Sequence, residues 1–253
     1  MGRESLASLE TRAVEGKAGT TLARDRLLPL RASFADLFPE RGLRRGSTVV
    51  IGRGGAPGMT SMALALLSGP CAGGSWCAVV GVPDIGLVAA GQLGIDMERL
   101  ALVPAPGAQW AMVTAALLEG FDVVLLRAAG HISHSDARKL GARARERGSV
   151  LAVMGDNWPG TADVRLSIDA GRWSGLEQGC GYLWAREVEV VAGGKGAASR
   201  PHRARMWFGT RFGAPQFEPV AGELEPVAGE PAKVPTGDEV TSSEEAINTG
   251  IAG

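Results

Sequence analysis

A glycine-rich stretch at residues 52–61 has the composition of a phosphate-binding loop. It reads GRGGAPGMTS and lies between a β-branched run at 49–51 and an apolar segment that predicts a helix. Glycine lets the backbone approach an anion closely, so that N–H groups of the loop and of the first helical turn face it. The candidate nucleotide-binding residues are Gly54, Gly55, Gly58, Met59, Thr60 and Ser61.

Methionine occupies the position that carries the lysine of a working phosphate loop. The pattern G-x-x-x-x-G-K-[ST] requires lysine after its second glycine, but Met59 follows Gly58, and Arg53 stands at the first glycine position. A charge-assisted contact to phosphate contributes about 1.5–3 kcal/mol, and the lysine also stabilises charge in the transition state. We therefore predict no catalytic residues, no metal site, and weak ATP binding at most.

The same loop also fits a looser dinucleotide-binding pattern. Gly52, Gly54 and Gly58 follow a predicted strand and precede a predicted helix, as in NAD-binding folds. The acidic residue expected after the second strand is missing, because Pro83 stands there with Asp84 beside it. A titration with NADH would test this enzyme interpretation.

Two groups of basic residues are candidate DNA contacts. Residues 135–147 predict an amphipathic helix with a small apolar stripe and a charged remainder, and a second group lies near the end of the folded region. The candidates are Arg138, Lys139, Arg143, Arg145, Arg147, Arg200, Arg203 and Arg205. Because a charged helix face is also typical of an ordinary solvated surface, we predict only weak, salt-sensitive DNA binding.

The residues before this helix have the types found in a hydrolase triad: His131, Ser133, His134, Ser135 and Asp136. Triads are assembled from separate parts of a chain, and no G-x-S-x-G motif presents a nucleophile here. We interpret Ser133 or Ser135 as the helix N-cap, with Asp136 in the first turn.

Composition indicates a globular domain with a large core. The 253 residues are 45% hydrophobic and carry a net charge of −1, but from residue 215 onward eight acidic residues accompany one lysine. Three cysteines without C-x-x-C spacing predict neither a disulfide framework nor a zinc site. No signal peptide and no apolar run of ~20 residues is present, so we expect a cytoplasmic protein with no membrane partner.

Strands and helices alternate along the body of the chain, which predicts an α/β fold with a mostly parallel sheet covered on both faces. Strands are predicted at 49–51, 76–81, 100–104, 122–127 and 149–154. A helix after the second strand is expected to bury Leu87, Val88 and Leu93. Three β-rich segments then follow without helices and predict an antiparallel C-terminal extension.

The predicted domain organisation has three parts. Residues 1–28 form a helical arm, residues 29–213 form the core, and residues 214–253, with the hexapeptide EPVAGE twice, form a disordered acidic tail. The tryptophans in or near the antiparallel strands, Trp173, Trp184 and Trp207, are expected to belong to the core and not to a base-stacking surface.

The order of these elements resembles the ATPase core of RecA over residues 25–210. GLRRGSTVVIG, the glycine loop, WCAVVG and QLGIDMERLALV follow one another as in that family, and the chain resembles more narrowly the degenerate RecA-related ImuA proteins of the ImuA-prime type. The resemblance implies a RecA-like P-loop core that has lost its chemistry. The lysine is Met59, the glutamate position is Pro83, and the strand that should end in the metal-side aspartate ends at Arg127, with Asp122 at its opposite end.

The resemblance implies a non-catalytic adaptor role in damage-induced mutagenesis. The implied partners are an ImuB-like homologue of Y-family polymerases and an error-prone DnaE-type polymerase, with RecA as a further candidate, in the cytoplasm and at the nucleoid during DNA damage. Residues 1–40 and the face of the glycine loop are the expected docking surfaces. The alternatives are a residual NTPase or regulator of RecA filaments, which magnesium–ATP assays with and without single-stranded DNA would identify, and a SulA-like inhibitor of cell division.

Overall fold

The computed structural model describes residues 26–177, 180–211 and 214–219. Most of the predicted arm and the tail beyond residue 219 lie outside the described residues. The last residues of the predicted arm form β1 (Leu27–Leu28), which pairs with β2 (Leu43–Arg44) in a small antiparallel sheet. The segment between them carries α1 (Ala32–Ala35) and buries Phe34, which secures it to the main core.

A nine-stranded mixed sheet forms the centre of the described structure. Its strands are β3 (Thr48–Ile51), β4 (Cys77–Val80), β5 (Leu100–Val103), β6 (Val123–Leu126), β7 (Val150–Met154), β8 (Val164–Glu177), β9 (Cys180–Gly194), β10 (His202–Arg211) and β11 (Ala214–Pro219). Their order in space is β11-β10-β9-β8-β3-β7-β6-β4-β5. Five of the described pairings are parallel and three are antiparallel. The predicted α/β class with a mostly parallel sheet is confirmed.

Helices cover both faces of the parallel part of the sheet. Besides α1 they are α2 (Met59–Ala72), α3 (Leu87–Gln92), α4 (Trp110–Gly120) and α5 (His134–Arg147). Successive residues of a strand point to opposite faces, so Val49 and Ile51 join the core cluster with α2, whereas Val50 joins the cluster with α4 and α5. Among the described helices, none is long and apolar enough to cross a membrane.

The prediction for the inward face of α3 is wrong at two positions. Leu87 is 46% exposed and Val88 is 77% exposed, whereas Ala90 and Leu93 are buried. The helix is only six residues long, so it presents one short stripe to the core, and Val88 lies about 200° around the axis from Ala90. Two apolar side chains are therefore left at the surface, close to the loop that follows β4.

The C-terminal extension of the sheet is antiparallel only from its second strand. β8 pairs in parallel with β3, with Val50 in register with Arg165, and antiparallel with β9. It thus places a strand directly beside the one that leads into the glycine loop. A register irregularity between Ile168 and Ala170 interrupts the β8–β9 pairing.

Two further predictions for this region need correction. The disordered tail was predicted to begin at residue 214, but β11 adds Ala214–Pro219 to the sheet edge as an antiparallel partner of β10. Proline is compatible with an edge strand, because its missing N–H removes no bond there if it faces outward. Trp173 is 53% exposed and so is not a core residue, Trp207 is half-buried, and the side chain of Trp184 lies outside the described part.

The two cysteines with described side chains are buried free thiols, as expected for a chain without a disulfide framework. Cys71 lies in α2 and Cys77 begins β4, and both belong to the core. A hydrogen bond between the thiols, together with burial, raises the pKa of Cys77. Cys77 is therefore kept in its protonated, unreactive form.

Candidate functional site

The glycine loop connects β3 to α2 at the carboxyl edge of the sheet, in the order strand, glycine loop, helix. Gly58 has a φ of 130° and directly precedes the first helical residue, Met59. Thr60 and Ser61 follow in the first turn, where backbone N–H groups have no partner within the helix. The sequence therefore places all the candidate nucleotide-binding residues in one short segment.

The loop packs directly against the neighbouring strand β8. The N–H of Gly52 donates to the carbonyl oxygen of Leu166 over 2.8 Å, and the N–H of Ala56 donates to that of Ile168 over 2.9 Å. A methyl group on Gly54 would lie 2.5 Å from the Ile168 carbonyl oxygen. Two of the donors of the loop are thus used within the protein, and a side chain at Gly54 would force the strand aside.

The remaining close approaches also involve protein groups. A methyl group on Gly55 would lie 2.5 Å from the carbonyl oxygen of Asp169. Asp156, which follows β7, accepts a hydrogen bond from the N–H of Arg53 with its Oδ1 over 3.0 Å, and the same oxygen would lie 2.6 Å from a methyl group on Gly52. The carboxylate of Asp156 therefore occupies a donor that a phosphate loop would offer to its ligand.

An arginine from β9 lies beneath the loop. Arg186 is 5% exposed, its Nη1 donates to the carbonyl oxygen of Pro57, and its guanidinium lies 5.4 Å from the ring centre of Trp173. Its Nε is buried without a hydrogen-bond partner in the described structure, and burial lowers its pKa. Sequence reasoning missed this cation. A methyl group on Gly171 would lie 2.4 Å from Nη2, so that glycine makes room for it.

Met59 does not replace the missing lysine. Its side chain is partly buried and packs against the core that α2 shares with the sheet. Without the lysine, the start of α2 offers an anion only the partial positive charge of a helix N-terminus. That charge attracts an anion weakly when no cationic side chain lies beside it.

The resemblance places the catalytic and metal-binding carboxylates at the positions of Pro83 and Arg127, and Asp84, next to Pro83, forms an ion pair with Arg127. Nη1 of Arg127 lies 3.4 Å from Oδ1 of Asp84, and both side chains are largely exposed. Asp122, at the other end of β6, binds Nη1 of Arg45 over 2.7 Å and the N–H of Trp76 over 3.0 Å, so its role is structural. Among the described residues no group of three or more metal-ligating side chains was found.

Several of the predicted DNA contacts are engaged in ion pairs. Nε of Arg143 and Nη2 of Arg147 bind Glu119 of α4 over 3.0 and 2.7 Å. On β10, Arg203 binds Glu189 and Asp169, and the hydrogen bond that its guanidinium donates to Glu189 is the main cause of its raised pKa. The other five are exposed and have no ion-pair partner in the described part of the chain: Arg138, Lys139, Arg145, Arg200 and Arg205.

The cap of α5 is confirmed. Oγ of Ser133 accepts the N–H of Asp136 over 3.0 Å and donates to its Oδ2 over 2.7 Å. Both groups are thereby committed to the helix start, and His131 and His134 are exposed beside them. The cluster is a helix cap and not a triad.

Comparison with known proteins identifies two relationships. Residues 36–160 match the family described as the MT3502 N-terminal domain, a region that begins directly after α1 and ends in the loop after β7. A segment of 106 residues, 42% of this chain, is 40% identical to the uncharacterized protein Rv3395c of Mycobacterium tuberculosis. The chain spans about half the length of this relative, 52% of it. The matched family region includes the glycine loop and α5 but not β8 or Arg186.

Proposed function

We propose that this chain is a non-catalytic, RecA-like adaptor of the ImuA type, acting in damage-induced mutagenesis. The proposal is supported by the mostly parallel sheet, by the order strand, glycine loop and helix at residues 48–72, and by the sequence resemblance over residues 25–210. Its role would be to assemble an ImuB-like homologue of Y-family polymerases with an error-prone DnaE-type polymerase for synthesis across lesions.

The packing of the glycine loop is the observation that carries the non-catalytic part of the proposal. The N–H groups of Gly52, Arg53 and Ala56 bond to carbonyl and carboxylate oxygens of the protein itself. These three donors of the loop are therefore satisfied by the protein itself and do not need a nucleotide. The glycine loop then has a structural role, because it packs the chain that follows β3 against β8.

Exposed apolar residues on α3 and α4 support a role in protein contacts. Leu87 and Val88 are exposed on α3, and Met112 on α4 is 63% exposed. Apolar side chains of this size commonly contribute to protein interfaces when they lie at the surface. The adaptor role requires such surfaces, whereas an ATPase requires the cation and the carboxylates that are replaced here.

A residual NTPase or regulator of RecA filaments is the second proposal, and the position of Arg186 favours it. The guanidinium brings a buried positive charge next to Pro57, one residue before Gly58. Its bond to the Pro57 carbonyl, however, already occupies one of its donors. The adaptor role therefore remains the stronger proposal.

Affinity purification of the tagged chain from its own host tests the adaptor role. After DNA damage we expect a Y-family homologue and a DnaE-type polymerase among the recovered proteins, since an adaptor binds both at once. Cells that carry the tag alone are the control. Recovery of RecA or of a cell-division protein, without any polymerase, would refute the proposal.

A further inference from the structure

A cavity of about 420 Å³ lies beside α5, at the start of the C-terminal extension of the sheet. One wall is the helix itself, with His134, Ser135, Arg138 and Arg145, and the other is the loop at 159–161 that leads to β8. None of these residues belongs to the glycine loop. The cavity is therefore a separate feature of the molecule.

The cavity follows one stripe of the helix. Positions 134, 138, 141 and 145 are spaced by four, three and four residues, so they lie on one side of α5 over three turns. Gly141, in the middle, has no side chain and leaves room between the two arginines. A ligand lying along this stripe would meet a cation at both ends of the cavity.

The helix divides its arginines between two environments. Arg143 and Arg147 face α4, where both bind the carboxylate of Glu119. Arg138 and Arg145 line the cavity, are exposed, and have no ion-pair partner among the described residues. Two unneutralised cations on one cavity create a positive potential there, which attracts an anionic ligand.

The sheet extends this positive surface. Arg165 of β8 is in register with Val50, whose side chain belongs to the cluster beneath α4 and α5, so Arg165 lies on the same side of the sheet as α5. It is exposed and without an ion pair in the described part. The positively charged surface therefore extends from α5 to β8. It is longer than a small anion would need.

We propose that this cavity binds the phosphodiester backbone of a single nucleic acid strand. The two arginines are seven residues apart, or ~10.5 Å along the helix, which corresponds to about three nucleotides of a stacked strand. The guanidinium fork suits phosphate oxygens, and the hydroxyls of Ser135 and Thr161 supply further donors in the cavity. The contacts are to the backbone, so binding is sequence-independent and does not depend on the proposed adaptor role.

Fluorescence anisotropy with a labelled oligo-dT strand tests this site. The double variant Arg138→Gln/Arg145→Gln is expected to weaken binding about tenfold or more at about 50 mM salt. It should also reduce the slope of log affinity against log salt by about 1.4, since each lost phosphate contact contributes about 0.7 for a single strand. Both side chains are exposed, so the fold should be kept, as circular dichroism will show.

The matched control is Arg143→Gln/Arg147→Gln, which removes the same formal charge from the same helix on its paired side. We expect about a twofold loss or less, because these side chains do not line the cavity and both bind Glu119. Thr161→Glu, which places a carboxylate in the cavity, should weaken binding as the cavity double variant does. Equal losses in the two double variants, no binding by the wild-type chain, or equal competition by polyglutamate at the same charge would each overturn the proposal.

Discussion

Gly54→Ala is expected to lower the free energy of unfolding by about 3 kcal/mol, in the absence of any ligand. Gly54 has a φ of +67°, and the added methyl group would lie 2.5 Å from the carbonyl oxygen of Ile168 and 2.9 Å from its backbone nitrogen. The left-handed conformation costs a non-glycine residue about 1 kcal/mol, and β8 must in addition shift away from the loop. Urea denaturation of the two proteins measures the difference.

Gly74→Ala is the matched control for this loss. Gly74 also has a positive φ, +86°, but nothing lies within 4 Å of a methyl group there. It therefore carries only the backbone cost, about 1 kcal/mol. If both variants lost the same stability, the loop would not be held against β8 as described.

A strain that lacks this chain is expected to lose damage-induced mutagenesis, with the mutation frequency after damage falling to that of untreated cells. Without the adaptor, the two polymerases would not be brought together at a lesion. A plasmid-borne Thr60→Ala chain should restore the response as fully as the wild-type chain. Thr60 would hold magnesium in a working phosphate loop, and the proposed role makes no use of its hydroxyl.

The deletion strain tests the role in mutagenesis, and the Thr60→Ala chain tests whether that role needs nucleotide chemistry. An unchanged mutation frequency in the deletion strain would remove the role in mutagenesis. Failure of a folded, normally expressed Thr60→Ala chain to restore the response would leave that role standing but contradict the absence of nucleotide chemistry. Alanine is well tolerated within a helix, so a loss of folding is not expected at this position.

The parts of the fold that the sequence predicted correctly depend on local signals. The apolar runs predicted five of the six strands that pair in parallel, and Ser133 followed by Asp136 predicted the start of α5. Where the local signal was short, the prediction was wrong: α3 is too brief for its periodicity to identify the buried face. The strand β11 was missed because an edge strand needs only one partner, and the acidic, proline-containing sequence there is typical of disorder.

The environment of the glycine loop was not predictable, because its partners are distant in the sequence. Asp156 is 103 residues from Arg53, and Arg186 is 129 residues from Pro57. A glycine in the sequence indicates only that some group lies too close to the backbone for a side chain to fit. A carbonyl oxygen of β8 excludes a side chain in the same way as a bound phosphate would. The sequence therefore identified the glycine loop and the loss of its lysine, but not the protein groups that contact the loop.

We propose that the glycine loop, whose N–H groups at Gly52, Arg53 and Ala56 bond to the protein itself, has no nucleotide chemistry. Isothermal titration of the purified chain with magnesium–ATP, followed by a phosphate-release assay with and without single-stranded DNA, tests it most directly. We predict no saturable binding and no hydrolysis, and we predict that Met59→Lys does not create an ATPase, because Pro83 and Arg127 still stand where the two carboxylates are required. Saturable binding with DNA-stimulated phosphate release by the wild-type chain would contradict the account.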